Sequence, residues 1–152
     1  YIDAFTINWQ AFNHVFLFPS FSMMGRIVRH LIRLQHSKQE VTAQAIFPLW
    51  PREVWYTKVL SFLVANPVIL KVTETMLTLE HNHNLVHPMS GRLCLMAGLL
   101  SSNITRQEVF RSQCQRRYAQ PGLIQPTNNT LVTLLNGKFI TCKEVLIPVT
   151  HW

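Results

Sequence analysis

Two short runs of β-forming residues, each stopped by a proline and separated by an amphipathic helix, constrain this chain more than any other feature. His14-Val-Phe-Leu-Phe18 is such a run, closed by Pro19, and it has the pattern of a buried strand. Ser22 is placed to cap a helix in which Met23, Ile27, Leu31 and Leu34 recur at helical spacing. Arg26, Arg29, His30, Arg33 and His36 fall largely on its other faces, and the helix should end near Ser37. Val41 to Phe47 is a second strand, closed by Pro48. Trp50-Pro51 opens a second helix, since proline suits a first turn, and Val54, Trp55, Val59, Phe62 and Leu63 give it a broad apolar face until Asn66-Pro67 ends it. Strand, helix, strand, helix is the order of an open α/β sheet. Residues 1–70 are therefore expected to form an α/β region: an incomplete open sheet with flanking helices, too small to close by itself.

The remaining chain carries weaker signals. Residues 71–90 are polar and mixed, without a period, and read as a linker. Residues 91–120 read as a short helical segment, with an apolar helix over Leu93–Leu100 and a basic helix over Thr105–Tyr118. From Pro121 onward the apolar residues are scattered, so 121–152 is expected to be an irregular tail. The C-terminal part is thus expected to be mostly helical or irregular.

Charge sets the partner class. Only 14% of the 152 residues are charged, yet 14 Lys and Arg stand against 7 Asp and Glu, a net +7. That imbalance favours a polyanion. Arg26, Arg29 and Arg33 recur at spacings of three and four and share one helical face. Arg106, Arg111, Arg116 and Arg117 form a looser patch. Both sets suit sequence-independent, salt-sensitive contacts to the phosphates of DNA or RNA.

Other chemistry finds little support. Cys94, Cys114 and Cys142 are an odd number without CxxC spacing, so neither a disulfide framework nor a zinc ribbon is expected. With no basic-then-apolar leader, the expected setting is intracellular, cytoplasmic or nuclear, and the opening Tyr1-Ile2-Asp3 suggests a start inside a longer reading frame. The longest apolar stretch, Val59 to Leu70, is broken by Ser61, Asn66 and Pro67 and is too short to span a bilayer. Asp3 is the only acidic residue in the first 39, which leaves no carboxylate pair there; its expected role is a turn or cap before Ala4-Phe5. His81-Asn-His83 with His87 lacks complementary ligands and reads as loop histidines. No cofactor and no metal are expected.

Phe16-Leu-Phe-Pro-Ser-Phe21 resembles the active-site segment of methyltransferases acting on the exocyclic amine of adenine, in which a strand ends in a polar residue followed by Pro-Pro-aromatic. There the polar side chain and a proline carbonyl accept the amine's hydrogen bonds, and the aromatic stacks on a flipped base. Here Phe18 holds the polar position and Ser20 the second proline, so the degenerate motif Phe18, Pro19, Ser20, Phe21 should be catalytically dead. The wider order of motifs is similar to the region downstream of reverse transcriptase and RNase H in DIRS-type retrotransposon polyproteins. It comprises Asp3-Ala-Phe5, Trp9, the Phe16–Phe21 segment, Arg26-Ile-Val-Arg-His-Leu-Ile32, Pro48-Leu-Trp-Pro51 and Trp55-Tyr56. Later, His87-Pro-Met89 and Leu93-Cys-Leu-Met-Ala97 with Leu100-Ser101 resemble the stretch before that family's tyrosine recombinase. The resemblance covers roughly Tyr1 to Gln115. It implies a methyltransferase-like region, inactive alone, plus a linker toward a recombinase. Two rival readings stand beside it: an active adenine-directed DNA methyltransferase completed by another chain, and a small basic interaction protein anchored by Trp50, Trp55 and Tyr56.

Overall fold

The computed structural model describes residues 3–12, 14–73, 78–79, 82–86, 93–118, 139–142 and 145–151. The proline-stopped runs are strands β1 (Val15–Leu17) and β2 (Thr42–Pro48), joined by α1 (Met24–His36). There follow α2 (Tyr56–Ser61), β3 (Val68–Lys71), β4 (Thr78–Leu79), β5 (Asn82–Val86), β6 (Cys94–Ser101), α3 (Ile104–Tyr118), β7 (Phe139–Cys142), β8 (Val145–Pro148) and β9 (Thr150–His151). Five strands make one open mixed sheet in the order β1-β2-β6-β3-β9, and β4-β5 and β7-β8 are separate pairs. β1 and β2 are parallel, as a helical crossover requires, whereas β6 runs antiparallel to both of its neighbours. The fold is α/β.

Register explains the burial. Leu17 aligns with Ala45, Ala45 with Gly98, and Phe47 with Met96, which in turn aligns with Ile69. Cross-strand partners share a face, and every one of these residues is buried. They form one core with Met24, Ile27, Val28, Leu31 and Leu34 of α1 and with Tyr56, Val59 and Leu60 of α2. The opposite face is more open: Phe16 and Gln44 are exposed, and Ile46, Ala97 and Leu99 are half-buried. Tyr56 is fully buried with no hydrogen-bond partner for its hydroxyl, and burial pushes its phenol well above the ordinary range.

The turn into α3 is tied down by polar side chains. Ser102 Oγ accepts from the Val41 amide (2.8 Å) and donates to the Gln39 carbonyl (2.6 Å), while Asn103 Oδ1 accepts the Arg106 amide (3.1 Å) as a helix cap does.

Several elements differ from the sequence reading. β1 lies at the sheet's edge, so its central residue Phe16 is 64% exposed and the strand is not buried throughout. Ser22 does not cap α1; it sits inside a 3-10 turn, Phe21–Met23, that leads directly into the helix. The second helix does not begin at Trp50-Pro51. Residues there make successive tight turns, Glu53 N–H to Trp50 C=O and Tyr56 N–H to Glu53 C=O, which leave Val54 exposed and start α2 only at Tyr56.

Leu93–Leu100 is not a helix. Its apolar run forms the central strand β6, paired antiparallel with β2 on one side and β3 on the other. Part of the stretch read as a linker holds the pair β4–β5. Within the tail, β7 and β8 form an antiparallel pair that places Ile140, Cys142, Val145 and Ile147 in the core, and β9 adds to the main sheet beside β3. Residues 119–138, His81 and His87 lie outside the described residues. No helix among the described residues is long and apolar enough to cross a membrane.

Candidate functional site

In open α/β sheets, ligand sites form outside the carboxyl ends of parallel strands. At that end of β1, residues Phe16 to Ser20 line a cleft of about 380 Å³ together with Asp3, Ala4, Phe5, Trp9, Met23 and Ile27. The walls are mainly apolar, and Asp3 and Ser20 supply the polar side chains.

The N-terminal segment is folded on itself by its own hydrogen bonds and tied to α1 by Arg26. Asp3 acts as expected in a turn: its Oδ1 accepts the Phe5 amide (3.0 Å) and its carbonyl accepts the Thr6 amide (2.9 Å). The Trp9 indole N–H donates to the Ala4 carbonyl (2.7 Å), and the ring is buried. From α1, the Arg26 guanidinium donates to Asp3 Oδ2 (2.6 Å) and lies 4.2 Å from the centre of the Phe5 ring. The Phe5 amide first, and then Arg26, hold the Asp3 carboxyl below the usual carboxylate range.

Beneath this strap lies a feature the sequence reading missed. His30, grouped there with the basic residues, is only 8% exposed. Its ring centre is 4.4 Å from that of Trp9 and meets Phe5 edge-on at 5.5 Å. Nδ1 lies 3.2 Å from an Arg33 nitrogen that can only donate, and Nε2 is buried without a partner. Desolvation first, then the charges of Arg33 and Arg26, lower the pKa of His30. A lowered folded value means that the unfolded chain binds the proton more readily. Stability is therefore retained above the ordinary histidine pKa and lost as pH falls through it toward the folded value. Urea unfolding at neutral pH and at about pH 5 should show this loss. His30→Gln should reduce it, and an unchanged pH dependence would exclude His30 as its source.

The degenerate motif is only partly assembled around the cleft. Phe18 lines it and is 47% exposed, offering no acceptor where an amine would need one. Pro19 and Ser20 also line it, with Ser20 Oγ 3.4 Å from Ser22 Oγ. Phe21, the residue expected to stack on a base, instead meets Trp50 edge-on at 5.3 Å and is not among the lining residues. Trp55 and Tyr56 are buried and Trp50 is half-buried, so they pack in the fold and are poorly placed as exposed anchors.

The arginines are dispersed. Arg26 is committed to Asp3 and Phe5. Arg29 and Arg33 are exposed on α1. On α3, Arg106 donates to Thr42 Oγ1 (2.8 Å) at the start of β2, whereas Arg111 donates to the Ser61 carbonyl (3.1 Å) at the end of α2. Arg116 bonds its own helix at the Ser112 carbonyl (3.3 Å), and the Arg117 side chain lies outside the described residues. Arg106, Arg111 and Arg116 thus bond three different elements, β2, α2 and α3 itself. Among the described residues, no group of three or more His, Cys, Asp or Glu is placed to hold a metal ion. No family model, curated protein or solved structure matches the chain.

Proposed function

We propose that this chain is the methyltransferase-like region of a DIRS-type retrotransposon polyprotein, catalytically silent, which binds DNA or RNA non-specifically through exposed arginines. One observation carries the binding part. Among the described residues there is a single ion pair, Arg26–Asp3, so Arg29, Arg33, Arg106, Arg111 and Arg116 have no carboxylate partner there. Uncompensated guanidinium groups on a chain of net +7 attract phosphates and release their counterions. The silence follows from Phe18, whose ring cannot accept the hydrogen bonds that an adenine amine requires.

Binding to duplexes of unrelated sequence should be of similar strength and should weaken steeply as salt is raised. The variant Arg29→Ala with Arg33→Ala should weaken binding to all of them alike and flatten the plot of log affinity against log salt by about 1 per arginine. Affinity that ignores salt, or is untouched by the double variant, would remove this reading.

A further inference from the structure

β1 is the terminal strand of the sheet, with β2 on one side and no strand of the described residues on the other. Such an edge presents unpaired amide and carbonyl groups, the template for another strand. Natural edges are blunted by brevity, lysine, proline or inward-pointing charge, and β1 has the first of these, with three residues and Pro19 soon after. From His14 to Phe18 this chain has no lysine, no proline and no acidic or arginine side chain. Instead Phe12, Phe16 and Phe18 are 53%, 64% and 47% exposed. The cleft of about 380 Å³ and a second of about 280 Å³ both border the strand and share Ala4, Trp9, Phe16 and Leu17.

We propose that this edge is a self-association surface, on which β1 of a second copy pairs antiparallel about Phe16. Two features favour a copy of the same chain. A two-fold axis at Phe16 sets Phe16 against Phe16 and Val15 against Leu17, so apolar residues meet apolar residues throughout the strand. The edge is also free of arginine and lysine, so two chains of net +7 meet where neither presents a cation. The outer surface of α1, with Arg26, Arg29 and Arg33 exposed, lacks that property. Pairing at β1 continues the existing ladder and removes the exposed phenylalanines from water.

Sedimentation velocity on the nuclease-treated chain tests this across low to high micromolar concentration. The expected mass rises from 17.7 kDa toward twice that value. Phe16→Lys and, separately, Phe18→Lys should each weaken association by about tenfold or more with an unchanged circular dichroism spectrum. Phe16 is largely and Phe18 about half exposed, and neither belongs to the core. Added salt should strengthen the dimer by screening repulsion, the opposite of its effect on nucleic-acid binding, so the two readings fail independently. A monomer at every concentration, or a dimer indifferent to both substitutions, would overturn the proposal.

Discussion

Phe47→Ala is expected to cost about 3–5 kcal/mol of folding stability, the range for removing a buried aromatic ring. Phe47 is fully buried in β2, and its ring meets Trp55 edge-on at 6.3 Å. It also reaches over Gly98 of β6, where its Cε1 is 3.6 Å from the position a Cβ would occupy. The ring therefore fills space that the neighbouring strand leaves vacant. Truncation leaves a cavity beside Trp55 and Gly98. Since domains have total stabilities of roughly 5–15 kcal/mol, the variant should be close to unfolding at body temperature. Urea denaturation of dilute protein measures the effect, with Phe16→Ala as a control of the same chemistry. Phe16 is mostly exposed, and its change should stay within about 0.5 kcal/mol. Equal losses from the two variants would contradict the placement of Phe47 in the core.

Gly98→Val attacks the same contact from the opposite side. A Cβ on Gly98 would lie 2.7 Å from Leu63 Cδ2, closer than real atoms approach, and Leu63 is itself buried with little room to turn aside. Overpacking of this kind costs about 1–3 kcal/mol, sometimes more. The mechanism is checked by a double-mutant cycle. Leu63→Ala alone opens a hole and should destabilise, but combined with Gly98→Val the two changes should offset each other, giving a coupling of about 0.5–3 kcal/mol. Strict additivity would mean that the two residues do not touch.

These contacts show where the sequence was legible. β1, β2 and α1 could be read because proline marks where a ladder stops and because Ile27, Leu31 and Leu34 keep a helical period on the buried side; Met23, read as the first of that series, lies in the 3-10 turn, and the buried methionine is Met24. α3 was read from its basic residues over Thr105–Tyr118, one residue inside its start at Ile104. β6 was hidden for a physical reason. Every residue of Cys94–Ser101 but the last is apolar or glycine, so the run carries no alternation that separates it from a helix. β3 and β7 to β9 are two to four residues long; the partners of β3 and β9 lie far away in the chain, and β7 and β8 pair only with each other. At the site, the motif Phe16–Phe21 located the cleft, but Phe21 turned out to pack on Trp50. The Arg26–Asp3 pair and the Trp9–His30 contact depend on how the N-terminal segment lies across α1, which no local pattern encodes. His30 was grouped with the solvent-facing arginines, although its helical position turns it inward.

The strand order has a consequence for how the chain comes into being. β6 lies between β2 and β3 yet follows both in sequence, and β9, near the very end, completes the far side of β3. A nascent chain that has not yet released Ser101 from the ribosome holds β2 and β3 with no strand to join them. Pairings this distant in sequence form slowly, after the entropy of long loops has been overcome. During synthesis, the apolar edges of β2 and β3 must therefore wait, and they are the surfaces a chaperone would meet first. The arrival of one eight-residue strand decides when the two sides of the main sheet are joined.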